Sequence, residues 1–220
     1  MFRKKKKNGI KKSYSQCGED LIIEFIFNTL GIHHPSYLDV GAYHPCDLNN
    51  TALFYSKGSR GVNIEPNSDS YELFLGERKA DTNLNMAVAD FKGELMYYQF
   101  DTPTLNTLCP KEAEKYVAKG FNLVRSCHVR TDTIGNIIKT HFPKGPHFLS
   151  LDIEGYEDVV IDGLSSVENL PLVVCAETVE YSEGLDGEKN QATINGIIEL
   201  GYSVYADTHI NTIFVKDDYR

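Results

Sequence analysis

The 220-residue chain lacks several features that would assign it to a particular class of protein. Its longest apolar runs, such as residues 170–176, fall far short of the roughly 20 residues that a membrane-spanning helix needs. Its five cysteines include no C-x-x-C pair, and no Cys/His spacing predicts a zinc site, so we expect reduced thiols in a cytoplasmic protein. The chain also lacks G-x-G-x-x-G and the Walker pattern G-x-x-x-x-G-K-[ST], which argues against a diphosphate-binding loop.

Charge is unevenly distributed along the chain. The formal net charge is −9, from 22 basic and 31 acidic residues, yet seven of the basic residues lie within positions 1–12. Without those seven, 15 basic residues remain against 31 acidic ones, which argues against nucleic acid as a partner. We expect residues 1–12 to be a disordered basic tail and residues 13–220 to form one domain. Weak peripheral contact between this tail and an anionic membrane is an alternative use of its charge.

Strand and helix patterns alternate from about residue 20, which predicts an α/β fold with a mainly parallel sheet. Strands are predicted at 37–40, 61–65, 83–90, 95–100, 147–153, 172–177, 202–206 and 212–216, the last two as an antiparallel hairpin. Asp132 is expected to cap the helix that follows it. The segment 101–127 has no apolar periodicity, and we predict an insertion near the site, with a surface excursion of no function as the alternative.

The turn after the first predicted strand and the end of the second one point to a nucleoside site. Ligands of open α/β sheets bind beyond the carboxyl ends of the strands. Gly41 follows the first strand and allows a sharp turn with close approach to a ligand. Glu65 ends the second strand, at the spacing expected of a carboxylate that accepts hydrogen bonds from a ribose diol. Tyr43 and Pro45 crowd the positions where a diphosphate would lie, so a nucleoside with a sulfonium tail fits this turn better.

Six motifs carry a resemblance to a known family. They are SQCGED at 15–20, LDVGAYHP at 38–45, NNT at 49–51, NIEPN at 63–67, AVAD at 87–90 and LDIEGYE at 151–157. In their order and spacing the chain resembles the FkbM family of S-adenosylmethionine-dependent methyltransferases over roughly residues 13–216. The resemblance implies a Rossmann-like class I methyltransferase fold, with a mainly parallel seven-stranded sheet ending in an antiparallel hairpin, and S-adenosylmethionine as cofactor. His44 and Pro45 depart from the generic turn, which has another glycine there.

The resemblance also implies roles for individual residues around the cofactor. The implied assignments are Asp39, Gly41 and Ala42 to the methionine portion, Asn50 and Thr51 to its carboxylate, Glu65 with Pro66 to the ribose, Ala89 and Asp90 to the adenine, Asp152 to the vicinity of the transferable methyl, and Gln16, Gly18 and Glu19 to a cover over the site. For the last three residues, simple capping of the first helix is the alternative.

The candidate catalytic residues are Asp152, Glu154, Glu177 and His44. The three carboxylates follow neighbouring strands, so they are expected to converge, where they would either raise the pKa of one member to make a general base or bind a divalent cation. Capping of the next helix is the alternative for each carboxylate. His44 has the pKa range of a base, and packing in the first turn is its alternative role.

The acceptor is less well defined by the sequence. The resemblance implies O-methylation of a sugar hydroxyl, in surface polysaccharide or glycan biosynthesis, and Tyr43, Tyr156 and Tyr181 are candidates to stack on a sugar ring. The alternatives are a phosphoryl oxygen, a nitrogen or a natural product as acceptor, or a non-catalytic cofactor-binding partner protein. A phosphorylated acceptor would require basic residues in the site, for which the candidates are Arg125, Arg130 and Lys111. No sequence feature indicates the oligomeric state.

Overall fold

The computed structural model describes residues 10–179 and 186–219. Its helices are α1 (Glu19–Thr29), α2 (Ala52–Ser56), α3 (Ser68–Glu77), α4 (Pro110–Ala118), α5 (Ile134–His141), α6 (Glu157–Leu164) and α7 (Gln191–Glu199), with short 3₁₀ turns at Pro103–Leu105 and Asp217–Tyr219. Its strands are β1 (Tyr37–Val40), β2 (Gly61–Ile64), β3 (Thr82–Leu84), β4 (Ala87–Val88), β5 (Gly93–Phe100), β6 (Leu123–Asp132), β7 (Phe148–Leu151), β8 (Val173–Glu177), β9 (Tyr202–Asp207) and β10 (Asn211–Lys216). None of the helices in the described ranges is long and apolar enough to cross a membrane.

Seven strands form the main sheet, in the order β3-β2-β1-β7-β8-β10-β9. In this sheet the five strands β3, β2, β1, β7 and β8 pair in parallel, whereas β10 is antiparallel to both β8 and β9. The predicted α/β fold with a mixed sheet is therefore confirmed. The carboxyl ends of β1, β2, β7 and β8 meet at one edge of this sheet, which places the residues that follow them side by side.

Helices cover both faces of the sheet because its central strands are apolar on both sides. Along β7, Phe148 packs with α1 and α2 on one face, while Leu149 and Leu151 pack with α5 and α6 on the other. Every residue of β7 is buried, as expected for a strand covered on both faces. The resulting three layers leave the edge at the strand ends open to loops.

A second sheet of three strands, in the order β4-β6-β5, was missed by the sequence analysis. The segment predicted as one strand at 83–90 is two short strands in different sheets, because β3 pairs with β2 and β4 pairs with β6. Strand β6 begins inside the segment predicted to be irregular, and it pairs with β5 in antiparallel fashion. The first four residues of β6 are all exposed, as at Val124 (68% exposed), so the start of this strand lacks the alternating apolar pattern that reveals a strand.

The helix after β6 is capped by Thr133 and not by Asp132. The Thr133 side chain accepts a hydrogen bond from the backbone N–H of Asn136, at 3.2 Å, in the manner of an N-cap. The Asp132 carboxylate accepts from the Thr133 N–H and from the Asn136 side chain. Asp132 therefore supports the capping residue, and the predicted cap was one residue too early.

Candidate active site

The turn after β1 is held against the end of β7. Gly41 has φ +76°, and a Cβ atom added to it would lie 1.7 Å from the backbone oxygen of Asp152. The N–H groups of Gly41 and Ala42 both donate to the carbonyl of Ile64, at 3.1 Å, which ties the turn to β2. Glycine is required here for both its positive φ and the close approach. The tight turn predicted at Gly41 is present.

A cavity opens along the carboxyl ends of β1, β2, β7 and β8. Its walls include four carboxylates, Glu65, Asp152, Glu154 and Glu177, together with apolar residues from the strand ends. Residues 103, 104 and 106–108 of the 101–127 segment line it from the other side. Among the residues that the structure describes, no lysine, arginine or histidine lines this cavity. The cavity is therefore an acidic site with no basic side chain in its wall.

Glu65 is fixed at the β2 end of the cavity. Its Oε2 accepts the N–H of Tyr43 and its Oε1 accepts the N–H of Asn67, both at 2.7 Å. Burial raises the pKa of Glu65 to about 7, against the lowering effect of the two backbone hydrogen bonds, and nearby Asp39 and Asp152 add to the rise. Since each carboxylate oxygen has a second lone pair, two positions stay available to outside donors. A pair of ligand hydroxyls matches that geometry.

Asp152, Glu154 and Glu177, here called the acidic triad, have oxygen atoms within 4.8 Å of one another. Burial raises the pKa of all three, and repulsion from neighbouring carboxylates raises each further. The pKa of Glu177 is raised well above its usual value, by burial first and then by repulsion from Asp152 and Glu154. The predicted convergence of these carboxylates is present.

Asp39 and Thr51, predicted to bind the cofactor, are engaged in a buried network behind the cavity wall. The Asp39 carboxylate accepts from the Thr51 hydroxyl at 2.7 Å and from the Asn49 amide at 3.0 Å. Arg78, which is 2% exposed, donates to Thr51 at 3.0 Å. The sequence analysis missed Arg78 and Asn49. An aspartate within the buried strand β1 signals that a buried partner is needed, but it does not identify that partner.

The segment before α1 divides between the cavity and the protein interior. Gln16 lines the cavity, and its side-chain oxygen accepts from Asn211 at 3.1 Å. Glu19 is fully buried and accepts from the Thr208 hydroxyl and from the Cys17 N–H, so its carboxylate links the start of α1 to the hairpin of β9 and β10. Gly18, with φ +89°, is the residue from which α1 begins. Gln16 is the member of this group that faces the cavity.

Several predicted site residues lie away from the cavity. Ala89 and Asp90 line a separate cavity beside Thr133 and Gly163, between α5 and α6. The Nδ1 atom of His44 accepts the N–H groups of Cys46 and Asp47, and His44 is not among the residues of the cavity wall. In their place Ala87 and Val88 of β4, Tyr97 of β5 and Leu108 line the cavity, and none of the four was predicted from the sequence.

The remaining predicted residues divide between the cavity wall and other positions. Pro66 lines the cavity beside Glu65, and Tyr43 lines it at the β1 turn. The Asn50 amide donates to the Ser150 hydroxyl at 3.2 Å and is not part of the wall. Tyr156 packs against the apolar cluster of Ala87, Tyr97 and Leu108. Tyr181 lies outside the described residues.

Comparison with known protein families agrees with the resemblance. The sequence model described as the methyltransferase FkbM domain matches residues 39–206, a range that starts within β1, ends within β9 and includes the whole acidic triad. The chain belongs to the FkbM methyltransferase family. No curated protein matches it.

Solved structures provide distant likenesses to this FkbM-family chain. Monomeric WbdD has a TM-score of 0.47 and 14% identity over 90% of this chain, which spans 40% of the WbdD chain. The Burkholderia thailandensis 1,6-didemethyltoxoflavin-N1-methyltransferase with bound S-adenosylhomocysteine has a TM-score of 0.43 and 8% identity, covering 90% of this chain and 74% of its own. A Streptococcus thermophilus protein described as a hemolysin has a TM-score of 0.44 and 12% identity, covering 96% and 70%. Nothing about the site is inferred from likenesses this distant.

Proposed function

We propose that this FkbM-family protein is an S-adenosylmethionine-dependent O-methyltransferase that acts on a hydroxyl of a neutral acceptor, with a sugar as the acceptor class. The observation that carries the proposal is the wall of the cavity, where four carboxylates face the interior with no basic side chain among the described residues. Such a wall favours a cationic sulfonium compound by Coulomb attraction and disfavours a diphosphate. The order of the main sheet supports the Rossmann-like class I arrangement as part of the same proposal.

The cofactor site is assigned to the part of the cavity between Gly41 and Glu65. The donor set fits, because Glu65 offers two free acceptor positions to a ribose diol, while Ile64, Val88 and Leu108 provide apolar walls for a purine. Asp39, Asn50 and Thr51 would act indirectly, by fixing the turn that forms this end of the cavity. Gln16 is the residue placed to cover the bound cofactor.

The acidic triad is assigned to the reacting end of the cavity. When bound, S-adenosylmethionine supplies the methyl carbon: an acceptor oxygen forms the new C–O bond, the C–S bond breaks with its electron pair going to sulfur, and the hydroxyl proton passes to a base. Asp152 and Glu154 both line the cavity, and they are the groups that we assign to accept that proton. General-base assistance of this kind contributes about 10²–10⁴-fold to the rate, and positioning contributes more.

The alternatives for the acceptor differ in charge, which the cavity wall can discriminate. Arg125, Arg130 and Lys111, the candidates for binding a phosphorylated acceptor, are not among the residues that line the cavity. A phosphoryl or carboxylate group would therefore meet like charge without a compensating cation. The retained carboxylates at the strand ends also favour a catalyst over a non-catalytic cofactor-binding partner.

The proposal also includes a role in polysaccharide or glycan biosynthesis and a location in the cytoplasm. All five cysteines are free, which supports a reducing compartment. The basic residues 3–7 lie outside the described residues, and weak contact between the tail and an anionic membrane stays a prediction from charge.

Calorimetric titration with S-adenosylhomocysteine tests the cofactor assignment through Glu65→Gln. We expect at least roughly 10-fold weaker binding, because hydrogen bonds to a charged group contribute about 1.5–3 kcal/mol. Glu72→Gln, at an exposed position of α3, is the matched control and should leave the affinity unchanged. Equal affinities for the wild type and Glu65→Gln would contradict the assignment. A methyl-transfer screen with labelled cofactor would then compare neutral sugars with their uronic acid or phosphorylated counterparts, and preference for the anionic ones would contradict the proposed acceptor class.

A further inference from the structure

Glu154 is held in a backbone conformation that an ordinary residue rarely adopts. Its φ is +49°, in the left-handed region, and Gly155 after it has φ +83°. Such a conformation is unfavourable at a non-glycine residue and persists where the surroundings enforce it. The residues that enforce it here come from two different parts of the chain.

Helix α6 fixes the loop of residues 153–155 from one side. The carboxylate of Glu157, in the first turn of α6, accepts the N–H of Gly155 at 3.0 Å and the N–H of Ile153 at 3.2 Å. These bonds pair the loop amides with a group that is itself 5% exposed. The direction of the Glu154 side chain is not set by these contacts, since none of them involves its carboxylate.

The 101–127 segment fixes the same loop from the other side. The Thr107 hydroxyl donates to the backbone oxygen of Glu154 at 2.7 Å. Helix α4 lies directly on Gly155, because a Cβ atom added to Gly155 would approach Cγ of Glu112 to 2.7 Å. The segment that the sequence analysis predicted as an insertion near the site therefore packs onto the loop that carries Glu154.

Tyr116 is the residue of this segment that contacts the Glu154 carboxylate. Its hydroxyl donates to Oε2 of Glu154 at 2.7 Å. Its ring is 1% exposed and packs edge-to-face against Phe100, at 5.6 Å between centroids, and Phe121, at 6.3 Å. Because the aromatic neighbours fix the ring, the position of the hydroxyl is fixed as well. Burial also raises the pKa of Tyr116, so its hydroxyl keeps its proton and remains a donor.

The other charged groups around Glu154 oppose its ionisation. Asp152 and Glu177 face it from the ends of β7 and β8, Glu157 faces it from α6, and Glu112 faces it from α4, where Lys115 pairs with Glu112 at 3.3 Å. Burial raises the pKa of Glu154 to about 8, and Asp152 adds the largest repulsion, while the hydrogen bond from Tyr116 lowers the pKa. Tyr116 therefore favours the ionised form of Glu154, whereas the surrounding carboxylates disfavour it.

We propose that Tyr116 is a positioning residue that orients the Glu154 carboxylate toward the cavity as its acid–base group. This inference rests on the proposed methyl transfer and adds a division of roles within the acidic triad. Glu154, whose carboxylate Tyr116 contacts, exchanges its proton with the acceptor, whereas Asp152 raises the pKa of Glu154 by repulsion. The 101–127 segment thus contributes to the chemistry through one hydroxyl without contacting the acceptor through it.

Titration of Glu154 by NMR tests the proposal without a known acceptor. The protein is labelled with [δ-¹³C]glutamate, and the Glu154 signal is identified by its absence in Glu154→Gln. In Tyr116→Phe we expect the midpoint of Glu154 to rise by about one pKa unit, since a lost hydrogen bond to the ionised form is worth about 1.5 kcal/mol or more. Tyr98→Phe, which removes a hydroxyl beside the same aromatic cluster, is the matched control and should leave the midpoint in place. An unchanged midpoint in Tyr116→Phe would overturn the proposal.

A second measurement uses the wild-type protein, in case Tyr116→Phe does not fold. With [ζ-¹³C]tyrosine labelling, the Tyr116 signal should titrate with the midpoint of Glu154, and Glu154→Gln should abolish that inflection. A Tyr116 signal that is insensitive to pH across this range would overturn the proposal. The affinity for S-adenosylhomocysteine distinguishes failure of the methyl-transfer assignment from failure of the positioning role. If Glu65→Gln binds this compound as tightly as the wild type, the methyl-transfer assignment fails. If Tyr116→Phe binds it normally and the Glu154 midpoint is unchanged, only the positioning role fails.

Discussion

Two groups of buried carboxylates differ in how their charge is compensated. Asp39 and Asp81 lie around Arg78, whose guanidinium forms an ion pair with Asp81 at 2.9 Å between side chains that are 3% and 0% exposed. The acidic triad has no such cation among the described residues of the cavity wall. A compensated group of this kind is typical of the structural framework, whereas uncompensated carboxylates in a cavity are typical of a site for a ligand.

The Arg78 group is satisfied within the protein. The guanidinium donates to the backbone oxygen of Pro45, to the hydroxyls of Tyr37 and Thr51, and to Asp81. Its plane also lies 4.5 Å from the ring of Tyr55. The positive charge of Arg78 lowers the pKa of Asp39, against the larger raising effect of burial. No capacity is left for an outside partner, so this group stabilises the turn that forms the cavity.

The largest expected effect comes from removing the compensating cation. We expect Arg78→Ala to lower the free energy of unfolding by about 3–5 kcal/mol, because it leaves Asp81 and Asp39 buried without their partner. Urea unfolding followed by circular dichroism measures this change. Arg60→Ala, at an exposed position, should stay within about 0.5 kcal/mol of the wild type. A loss below about 1 kcal/mol in Arg78→Ala would show that the two groups do not differ as described.

The pH dependence of the free energy of unfolding should report on the uncompensated carboxylates, because they titrate in the folded state near neutral pH. The folded-state pKa values of Glu65, Glu154 and Glu157 are raised from 4.5 to about 7, 8 and 7. Between the unfolded and folded values the folded state binds more protons, so stability falls as pH rises through this window. We therefore expect the Tm to be lower at about pH 8.5 than at about pH 5.5.

Calorimetry across this range measures the slope, and Glu154→Gln should reduce it because one of the titrating groups is gone. Glu72→Gln should leave the slope as it is in the wild type. A Tm that rises with pH would contradict the assignment of these raised pKa values.

The smallest effect concerns the charge of the ligand. S-adenosylmethionine is a sulfonium cation, whereas S-adenosylhomocysteine lacks that charge, so the ratio of their affinities reports the charge of the cavity. As the carboxylates ionise between about pH 6 and pH 8.5, we expect this ratio to shift by about 3- to 10-fold toward S-adenosylmethionine, or about 1 kcal/mol. Titrations with both compounds at each pH measure the ratio. A constant ratio would indicate that the acidic triad does not face the sulfonium.

The parts of the site that the sequence could predict are those formed by local chain geometry. Gly41 and Glu65 follow predicted strands, and the rule that ligands lie at strand ends places them together without knowledge of the loops. Ala89 and Asp90 were misplaced relative to the cavity because the chain leaves the main sheet after β3, so the predicted third strand was too long.

The contacts that the sequence could not predict join residues far apart in the chain. Arg78 meets Thr51 across 27 positions, and Tyr116 meets Glu154 across 38. Neither pair has a spacing or motif that would indicate contact. Strand β6 was missed for a different reason, since its first four residues are all exposed and show no apolar alternation. Packing of the 101–127 segment onto the acidic triad depends on that strand, so this part of the site required the structure.

A crystal structure with S-adenosylhomocysteine tests the central claim most directly. The account predicts that the nucleoside lies in the acidic cavity, with the Glu65 carboxylate about 2.6–3.2 Å from both ribose hydroxyls and the sulfur at the end nearest Asp152 and Glu154. A nucleoside bound elsewhere, with Glu65 contacting nothing beyond the amides of Tyr43 and Asn67, would contradict it.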